Sequence, residues 1–285
     1  MWALIEDRNY NRTVPTVEYF YKIINKLKKI IMKKVCLVLG AGRGIGATVA
    51  EKFALEGLHS HLCRRSDGDA LQESLDQIQA KGGEASGELI NAIDDGVIEK
   101  TIESVEKDIG PIEVLIYNLG AQSGMKLLDE TSYKEFEWGW RMASFGLFRA
   151  AKTLCPLMSE RGSGTIIATS ATAAMRGNKT QHSHAAAMGS RRMLCQTLND
   201  EFAVKGIHVA HVVVDGMVDA PDTLGKMLGD ELFNQLRETR GKEDGIVLPE
   251  KVAEAYYYLY TQHRSTWTHE LDLRSYTDTS WWNHS

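Results

Sequence analysis

The stretch Val35–Gly46, which reads VCLVLGAGRGIG, determines how the rest of the chain is organised. Five apolar residues suited to a buried strand lead directly into closely spaced glycines, and an amphipathic pattern follows at once. Gly40 allows a sharp turn, Gly44 lets the backbone approach a pyrophosphate, and Gly46 lets a helix pack closely on the strand. The order of strand, glycine turn and helix predicts a dinucleotide site with phosphate at the helix N-terminus.

The composition is typical of a soluble globular protein with one large domain. Of the 285 residues, 43% are hydrophobic and 25% are charged. No run of about 18 apolar residues indicates a transmembrane segment. The net charge of −5 and the isoelectric point near 6.0 argue against nucleic acid as a partner.

The cysteines and histidines predict a reducing, cytoplasmic location and no metal site. Cysteine stands at positions 36, 63, 155 and 195 without a CxxC pair, so we interpret these residues as reduced packing residues. His59 and His61, and likewise His182 and His184, are spaced i, i+2, which alone is weak evidence for zinc.

Residues 1–33 form a basic amphipathic extension ahead of the core. Over residues 17–31, apolar positions recur at helical spacing with lysines between them. Such a helix can contact a membrane surface, dock to a partner, act in targeting or pack on its own domain, and we favour the last. Acidic residues in the segment argue against an organelle presequence. Met32 directly precedes the first strand, so initiation there would give a complete domain, which mass spectrometry of the native N-terminus tests.

Residues 34–285 form a single domain in which strand and helix patterns alternate. Strands are predicted at 34–39, 59–63, 84–89, 112–117, 163–169, 207–214 and 267–273. Helices are predicted near 45–57, 68–81, 95–109, 131–160, 182–205, 222–238 and 249–262. Strands separated by single helices imply right-handed crossovers and a parallel sheet covered on both faces, which is a doubly wound α/β fold of the Rossmann type.

Several motifs together resemble the short-chain dehydrogenase/reductase family over about residues 34–275. The glycine loop matches the family's cofactor motif, and YNLG at 117–120 resembles its Asn-Asn-Ala-Gly turn. GSGTII at 162–167 and GIHV at 206–209 resemble the starts of its fifth and sixth strands, and Asp215-Gly216 stands where Pro-Gly is usual. The resemblance implies a nicotinamide-dependent oxidoreductase that acts on a carbonyl or hydroxyl group.

The resemblance fails at the family's catalytic positions. In the family, a tyrosine gives a proton to the substrate oxygen and a lysine four residues later lowers the tyrosine pKa. A serine polarises the carbonyl, and an asparagine anchors a water. Alignment on GTII at 164–167 places the serine at Ala171 and, thirteen residues later, the tyrosine and lysine at His184 and Met188. Alignment on FGLF at 145–148 places the asparagine at Ala143. All four residues are therefore substituted.

Two interpretations of this site remain open. In the first, the chain is an oxidoreductase with a non-standard active site, in which His184 transfers the proton and Ser170 or Thr172 polarises the carbonyl. Imidazole suits proton transfer near neutral pH, whereas Met188 carries no charge that lowers a partner's pKa. In the second, the alternative, the chain is a catalytically inactive nucleotide-binding or scaffold protein.

Basic residues after the second predicted strand favour NADP(H) over NAD(H). An NAD enzyme usually has an acid there for the ribose hydroxyls, but this chain has Arg64 and Arg65 with no acid before Asp67. Either arginine can bind a 2′-phosphate in a bidentate pair, and Arg43 adds charge nearby. The remaining predicted cofactor contacts are Gly40, Gly42, Gly44, Ile45, Gly46, Asp94, Asn118, Gly120, Gly216 and Val218.

Residues 217–245 stand where the family has its substrate lid. Their apolar positions suit a lid over an apolar small molecule, and a plain surface helix nearly as well. The tail alternates like a strand and ends in Trp281-Trp282. In relatives, the last strand and the long helices build dimers and tetramers, so we expect a homodimer or homotetramer.

Overall fold

A computed structural model describes residues 33–120 and 125–283, whose strands form one seven-stranded parallel sheet. The strands are β1 (Val35–Leu39), β2 (His59–Arg64), β3 (Glu84–Leu89), β4 (Ile112–Tyr117), β5 (Gly164–Ala171), β6 (Ile207–Val214) and β7 (Glu270–Leu273). Their order across the sheet is β3-β2-β1-β4-β5-β6-β7, and every neighbouring pair is parallel. The predicted Rossmann-type fold is therefore confirmed.

Helices flank the sheet on both faces. They are α1 (Ile45–Leu55), α2 (Gly68–Ala80), α3 (Val97–Asp108), α4 (Tyr133–Trp140), α5 (Gly146–Arg161), α6 (His182–Phe202), α7 (Lys226–Leu228), α8 (Asp230–Glu238) and α9 (Pro249–Thr261). Short 3₁₀ turns occur at Thr172–Ala174, Ala203–Lys205, Gly241–Glu243 and Arg264–Thr266. The π-helical segment Arg141–Phe145 divides the stretch 131–160, which the sequence predicts as one helix. The predicted helix 222–238 begins with the π-helical segment Pro221–Gly225 and is interrupted at Gly229.

Strand β1, which lies between β2 and β4, is buried on both faces, which explains its unbroken apolar sequence. Leu37 packs in the cluster that contains Leu154 of α5, and Val38 packs in the opposite cluster with Phe53 of α1. Burial of a side chain of this size stabilises the fold by about 1.5–3 kcal/mol. The two clusters hold the strands so that their carboxyl ends meet at one edge of the sheet, where open α/β folds bind ligands.

The predicted N-terminal extension, residues 1–33, lies outside the described residues apart from Lys33, so its membrane-surface, partner or targeting roles stay predictions. Among the helices that the structure describes, none is long and apolar enough to cross a membrane. The four cysteines are buried and unpaired, as the sequence predicts.

Candidate functional site

The glycine loop connects β1 to α1 at the carboxyl edge of the sheet. Gly40 and Gly44 have φ angles of 101° and 133°, a region that other residues rarely adopt. A Cβ atom on Gly46 would lie 2.2 Å from the carbonyl oxygen of Gly40. Asn118, which follows β4, donates from its side-chain amide to that same oxygen at 2.8 Å. The sequence motif therefore forms the tight turn expected of a phosphate-binding loop.

A carboxylate from the predicted lid occupies the anion position of this loop. Oδ2 of Asp222 accepts the backbone N–H of Arg43 at 2.8 Å and lies 3.3 Å from Nη2 of Arg64. Its Oδ1 lies 3.3 Å from Nη2 of Arg43 and 3.2 Å from Nζ of Lys226. Burial opposes ionisation of Asp222, but the N–H of Arg43 and the ammonium of Lys226 outweigh it and lower the pKa. Three cations and a backbone donor thus surround one carboxylate.

The lid segment also touches the glycine loop directly. A Cβ atom placed on Gly44 would lie 2.6 Å from the Cβ of Ala220, and one placed on Gly42 would lie 3.4 Å from Oδ2 of Asp222. Ala220 and Asp222 therefore lie directly against the glycines of the loop.

The two arginines that the sequence proposes for the 2′-phosphate have different surroundings. Arg64 is 7% exposed, and its Nε donates to the carbonyl oxygen of Ser66 at 2.7 Å. Its Nη2 lies 3.3 Å from both Asp67 and Asp222, whereas Nη1 is buried without a partner among the described residues. Arg65 is exposed. Arg64 is therefore the arginine with a buried, unsatisfied donor beside the anion position.

The other predicted cofactor contacts are spread around the same edge. Ile45 begins α1, and Gly216 lines a cavity described below. Val218 forms a bridge with Val247. Asp94 is exposed and accepts a hydrogen bond from the side chain of Asn91 at 2.8 Å, and Gly120 is exposed at the end of the described stretch after β4.

A cavity of about 610 Å³ lies at the carboxyl ends of β5 and β6. Thr172 and His184 line it together with Asp215 and Gly216 from the turn after β6. Further polar side chains around it come from Arg176, Asn178, Gln181, Arg240, Thr277 and Asp278. The lining is mainly polar, which differs from the apolar site that the lid composition predicts.

His184 is buried in the wall of this cavity as a neutral imidazole. Its exposed fraction is 8%, and burial together with the positive charge of Arg191 lowers its pKa to about 4. Its Nδ1 has no hydrogen-bond partner within the described part of the chain. The pKa does not lie near neutrality as the sequence suggests, so His184 can offer a hydrogen bond at neutral pH but has no extra proton to release.

The two hydroxyl candidates on β5 and in the following turn point to different partners. Thr172 lines the cavity and donates its proton to Oδ1 of Asp215 at 2.6 Å. Ser170 is buried and its hydroxyl lies 3.7 Å from the sulfur of Met188, away from the cavity lining. The structure therefore brings Thr172 and His184 to one site and leaves Ser170 outside it.

Asp215 is a site residue that the sequence did not assign. It is 4% exposed, and its Oδ2 accepts the backbone N–H of Trp281 at 2.9 Å and lies 3.2 Å from Nε of Arg274. These bonds hold the chain after β7 over the cavity, where Thr277 and Asp278 complete the wall. The signal in the sequence was an aspartate at the position where the resembling family has proline.

Three of the positions that the sequence alignment assigns to catalytic residues lie in an apolar cluster. Ala143 and Met188 are buried with Ala173 and Ala187, and Ala171 packs beside them. No member of this cluster can carry a proton or bind a ribose by charge.

A buried arginine lies beneath this cluster. Arg191 is 1% exposed, and its Nε donates to the carbonyl oxygen of Ala143 at 2.9 Å. Nη2 donates to the carbonyl oxygen of Leu119 at 2.6 Å, and Nη1 donates to that of Thr169. Its guanidinium also lies 5.1 Å from the ring centre of Tyr117. The charge is thus used on backbone carbonyls and is not presented to the cavity.

Comparison with known proteins matches this chain to short-chain dehydrogenases and reductases. The sequence profile of the short chain dehydrogenase family matches residues 34–227. The 3-oxoacyl-[acyl-carrier-protein] reductase of Staphylococcus epidermidis is 29% identical over 217 residues, which cover 75% of this chain and 87% of that protein. A tropinone reductase homolog of Arabidopsis thaliana is 28% identical over 227 residues, which cover 79% and 84%.

Solved structures agree with these matches. A short-chain dehydrogenase from Rhodopseudomonas palustris superposes with a TM-score of 0.71 at 30% identity, covering 85% of this chain and 99% of that one. An alcohol dehydrogenase from Thermococcus sibiricus, complexed with 5-hydroxy-NADP, has a TM-score of 0.74 at 23% identity and covers 87% and 98%. At that identity the second match supports the fold alone.

Proposed function

Because the chain belongs to the short-chain dehydrogenase family, we propose that it is an NADP(H)-dependent oxidoreductase acting on a carbonyl or hydroxyl group. The observation that carries the proposal is the set of donors around Asp222. The backbone N–H of Arg43 and the guanidinium groups of Arg43 and Arg64 converge on one carboxylate at the glycine loop. Such a donor set binds phosphate as readily as carboxylate.

The residues present fit an NADP(H) cofactor. The glycine turn has the required close contacts, and the buried Nη1 of Arg64 lacks a partner among the described residues. Arg64 would hold the 2′-phosphate, and the N–H groups at the start of α1 would hold the pyrophosphate. Asp222 then acts as an internal anion that the cofactor displaces. When bound, the cofactor supplies the hydride chemistry of the reaction.

The chain's own groups at the cavity support a reaction without the usual tyrosine. His184 donates an N–H to the substrate oxygen as a neutral imidazole, which stabilises the negative charge that develops there. Thr172, whose hydroxyl donates to Asp215, accepts a hydrogen bond from a substrate hydroxyl. Loss of a positioned general acid costs about 10²–10⁴-fold in rate, so we expect slow turnover relative to tyrosine-bearing relatives.

The cavity favours a polar substrate. Two of its charged groups are in ion pairs within the protein: Arg240 lies 2.7 Å from Asp278, and Asp215 contacts Arg274. Arg176 instead donates to the side chain of Asn178 and to the carbonyl oxygen of Trp281. We therefore expect a polar molecule that carries hydroxyl groups beside the reacting carbon.

The experiment is a fluorescence titration with NADPH and NADH, supported by thermal shift. We expect tighter binding of NADPH than of NADH. Arg64→Met removes a charge-assisted pair of about 1.5–3 kcal/mol and weakens NADPH binding about 10–100-fold. Arg65→Met, an exposed neighbour, serves as the matched control and has a smaller effect. Failure of both nucleotides to bind the unmodified protein would overturn the proposal.

A second candidate function is a catalytically inactive nucleotide-binding protein. The observation that favours it is the apolar cluster in which the aligned positions Ala143, Ala171 and Met188 pack with Ala173 and Ala187. The two functions differ in turnover: an enzyme oxidises NADPH with polar carbonyl compounds and loses rate when His184 is changed to alanine. Nucleotide binding with no turnover across such a panel would select the second candidate.

A homo-oligomer remains part of the proposal. Exposed aromatic side chains line α4 and α5: Tyr133, Phe136, Trp140 and Phe148 have exposed fractions of 97%, 44%, 42% and 45%. Large exposed aromatic groups are typical of interfaces between subunits. Light scattering coupled to size exclusion measures the oligomeric state directly.

A further inference from the structure

Strands β2 and β3 bring three metal-ligating side chains together under helix α3. His61 and Cys63 are two residues apart on β2, so both point to the same face of the sheet. Glu88 stands directly opposite Cys63 on β3. Within this trio, a ring nitrogen of His61, the Sγ of Cys63 and a carboxylate oxygen of Glu88 all lie within 4.8 Å of one another. We propose that His61, Cys63 and Glu88 form a site for a divalent cation of the zinc type.

The chemistry of the three ligands fits zinc better than magnesium or calcium. A thiolate, an imidazole and a carboxylate form the mixed sulfur, nitrogen and oxygen set that Zn²⁺ accepts, whereas the hard cations prefer oxygen alone. Three protein ligands leave one tetrahedral position for water. The exposed fraction of the Glu88 side chain is 43%, while His61 and Cys63 are buried, so the open side of the site lies toward solvent at Glu88.

Hydrogen bonds around the trio orient its members. The hydroxyl of Ser86 lies 2.8 Å from Nδ1 of His61 and 2.7 Å from Nε2 of His59. The hydroxyl of Thr101, on α3, donates to Oε1 of Glu88 at 3.0 Å. Partners of this kind, which fix the tautomer of a histidine ligand and hold a carboxylate, are usual around metal sites.

The serine hydroxyl has one proton, so the hydrogen bonds that join His61, Ser86 and His59 can be donated in either of two directions. In one, Nδ1–H of His61 donates to Ser86, and Ser86 donates to His59. This arrangement leaves Nε2 of His61 as a free lone pair beside Glu88, 3.4 Å away. In the other, Nε2 carries the proton and donates to Glu88. A cation at Nε2 selects the first direction, and the metal-free protein can use the second.

Metal binding releases a proton from the cysteine. Burial, with a further contribution from Glu88, raises the pKa of the Cys63 thiol well above its usual range, so the free site holds a thiol. Coordination forms the Zn–S bond, breaks the S–H bond and gives one proton to solvent. His61 and Glu88 are the titratable groups beside the thiol, and burial lowers the pKa of His61, which keeps it neutral.

The test uses the full chain without a histidine tag, freed of metal by a chelator. Co²⁺ is added and the absorption of cobalt–thiolate charge transfer and of tetrahedral cobalt is recorded, after which Zn²⁺ is added to displace it. We expect one Co²⁺ per chain, both bands, and loss of the bands on addition of Zn²⁺. Absence of a thiolate band would overturn the proposal.

Variants separate this site from other cysteines. Cys63→Ala abolishes the thiolate band, whereas Cys36→Ala, a buried cysteine in the core cluster on the opposite face of the sheet, leaves it unchanged. Glu88→Gln, at a half-exposed side chain, weakens Co²⁺ binding while the protein stays folded. Ser86→Ala, at a positioning residue, lowers the affinity about 10–100-fold. A band that persists in Cys63→Ala would refute the assignment. The measurement involves no nucleotide, so its outcome is independent of the proposed oxidoreductase function.

Discussion

Replacement of Asp222 by alanine is expected to strengthen NADPH binding. In the structure this carboxylate holds the lid segment on the glycine loop through the backbone N–H of Arg43 and the buried guanidinium of Arg64. Each hydrogen bond to a charged group contributes about 1.5–3 kcal/mol. The contacts with the side chains of Arg43 and Lys226, which are 46% and 64% exposed, add about 0–1 kcal/mol each.

When the segment opens, its polar groups regain hydrogen bonds to water. We therefore expect Asp222→Ala to destabilise the closed state relative to the open state by about 2 kcal/mol, near the low end of these values. The apparent dissociation constant equals the intrinsic one divided by the fraction of open molecules. A change of about 2 kcal/mol therefore lowers the apparent Kd for NADPH about thirtyfold when the closed state dominates. The same variant removes a negative charge from the phosphate position, which acts in the same direction.

The assay is a fluorescence titration of both proteins with NADPH at fixed ionic strength. The matched control is Asp219→Ala, which removes an acid from the same segment whose contact is with Arg237 at 2.6 Å and not with the glycine loop. We expect the control to bind NADPH like the unmodified protein. Unchanged or weaker binding by Asp222→Ala would refute the view that this carboxylate competes with the cofactor.

Three further predictions concern the buried polar groups. Because the folded pKa of His184 is about 4 and the usual value is 6.5, the unfolded chain binds a proton below pH 6.5 that the folded protein does not. Between pH 6.5 and pH 4, this group should therefore lower the free energy of unfolding by about 3 kcal/mol. His184→Gln should lose that part of the pH dependence in urea denaturation. Equal slopes of unfolding free energy against pH for the two proteins would contradict the prediction. Arg191→Met removes the side-chain donor of three backbone carbonyl oxygens and should lower the free energy of unfolding in urea denaturation by about 3 kcal/mol. Arg192→Met, at a partly exposed ion pair, should cost less, and similar losses would argue against the role of Arg191. Asp215→Asn weakens the hold on the tail and should increase proteolytic cleavage after β7 by about tenfold, and protection equal to that of the unmodified protein would exclude this function.

The fold could be predicted from the sequence because each pattern that indicates it lies within a single segment. The apolar runs of β1, β4 and β6 and the glycine motif at 40–46 each lie within one segment, and every predicted strand ends within three residues of the observed one. The π-helical segment Arg141–Phe145 was not predicted, since an extra residue in a helical turn leaves the apolar pattern nearly unchanged.

The site could be predicted only in part from the sequence because its decisive contacts join segments that are far apart in the chain. The contact between Arg43 and Asp222 spans 179 residues, and no periodicity in either segment indicates it. Glu88 reaches Cys63 only through the register of β3 on β2, so the histidines at i, i+2 lacked a visible third ligand. The pKa of His184 depends on burial and on Arg191, neither of which is evident from the sequence around it.

The buried guanidinium of Arg191 disfavours a lysine at position 188. Met188 and Arg191 are three residues apart on α6, so they share one side of the helix. A lysine introduced at position 188 would bring a second cation close to Arg191, whose guanidinium donates to three backbone carbonyl oxygens. Repulsion and desolvation would then oppose the new lysine. Substitutions at 188 and 191 are therefore expected to be non-additive, and a lysine at 188 becomes more favourable once the arginine at 191 is removed.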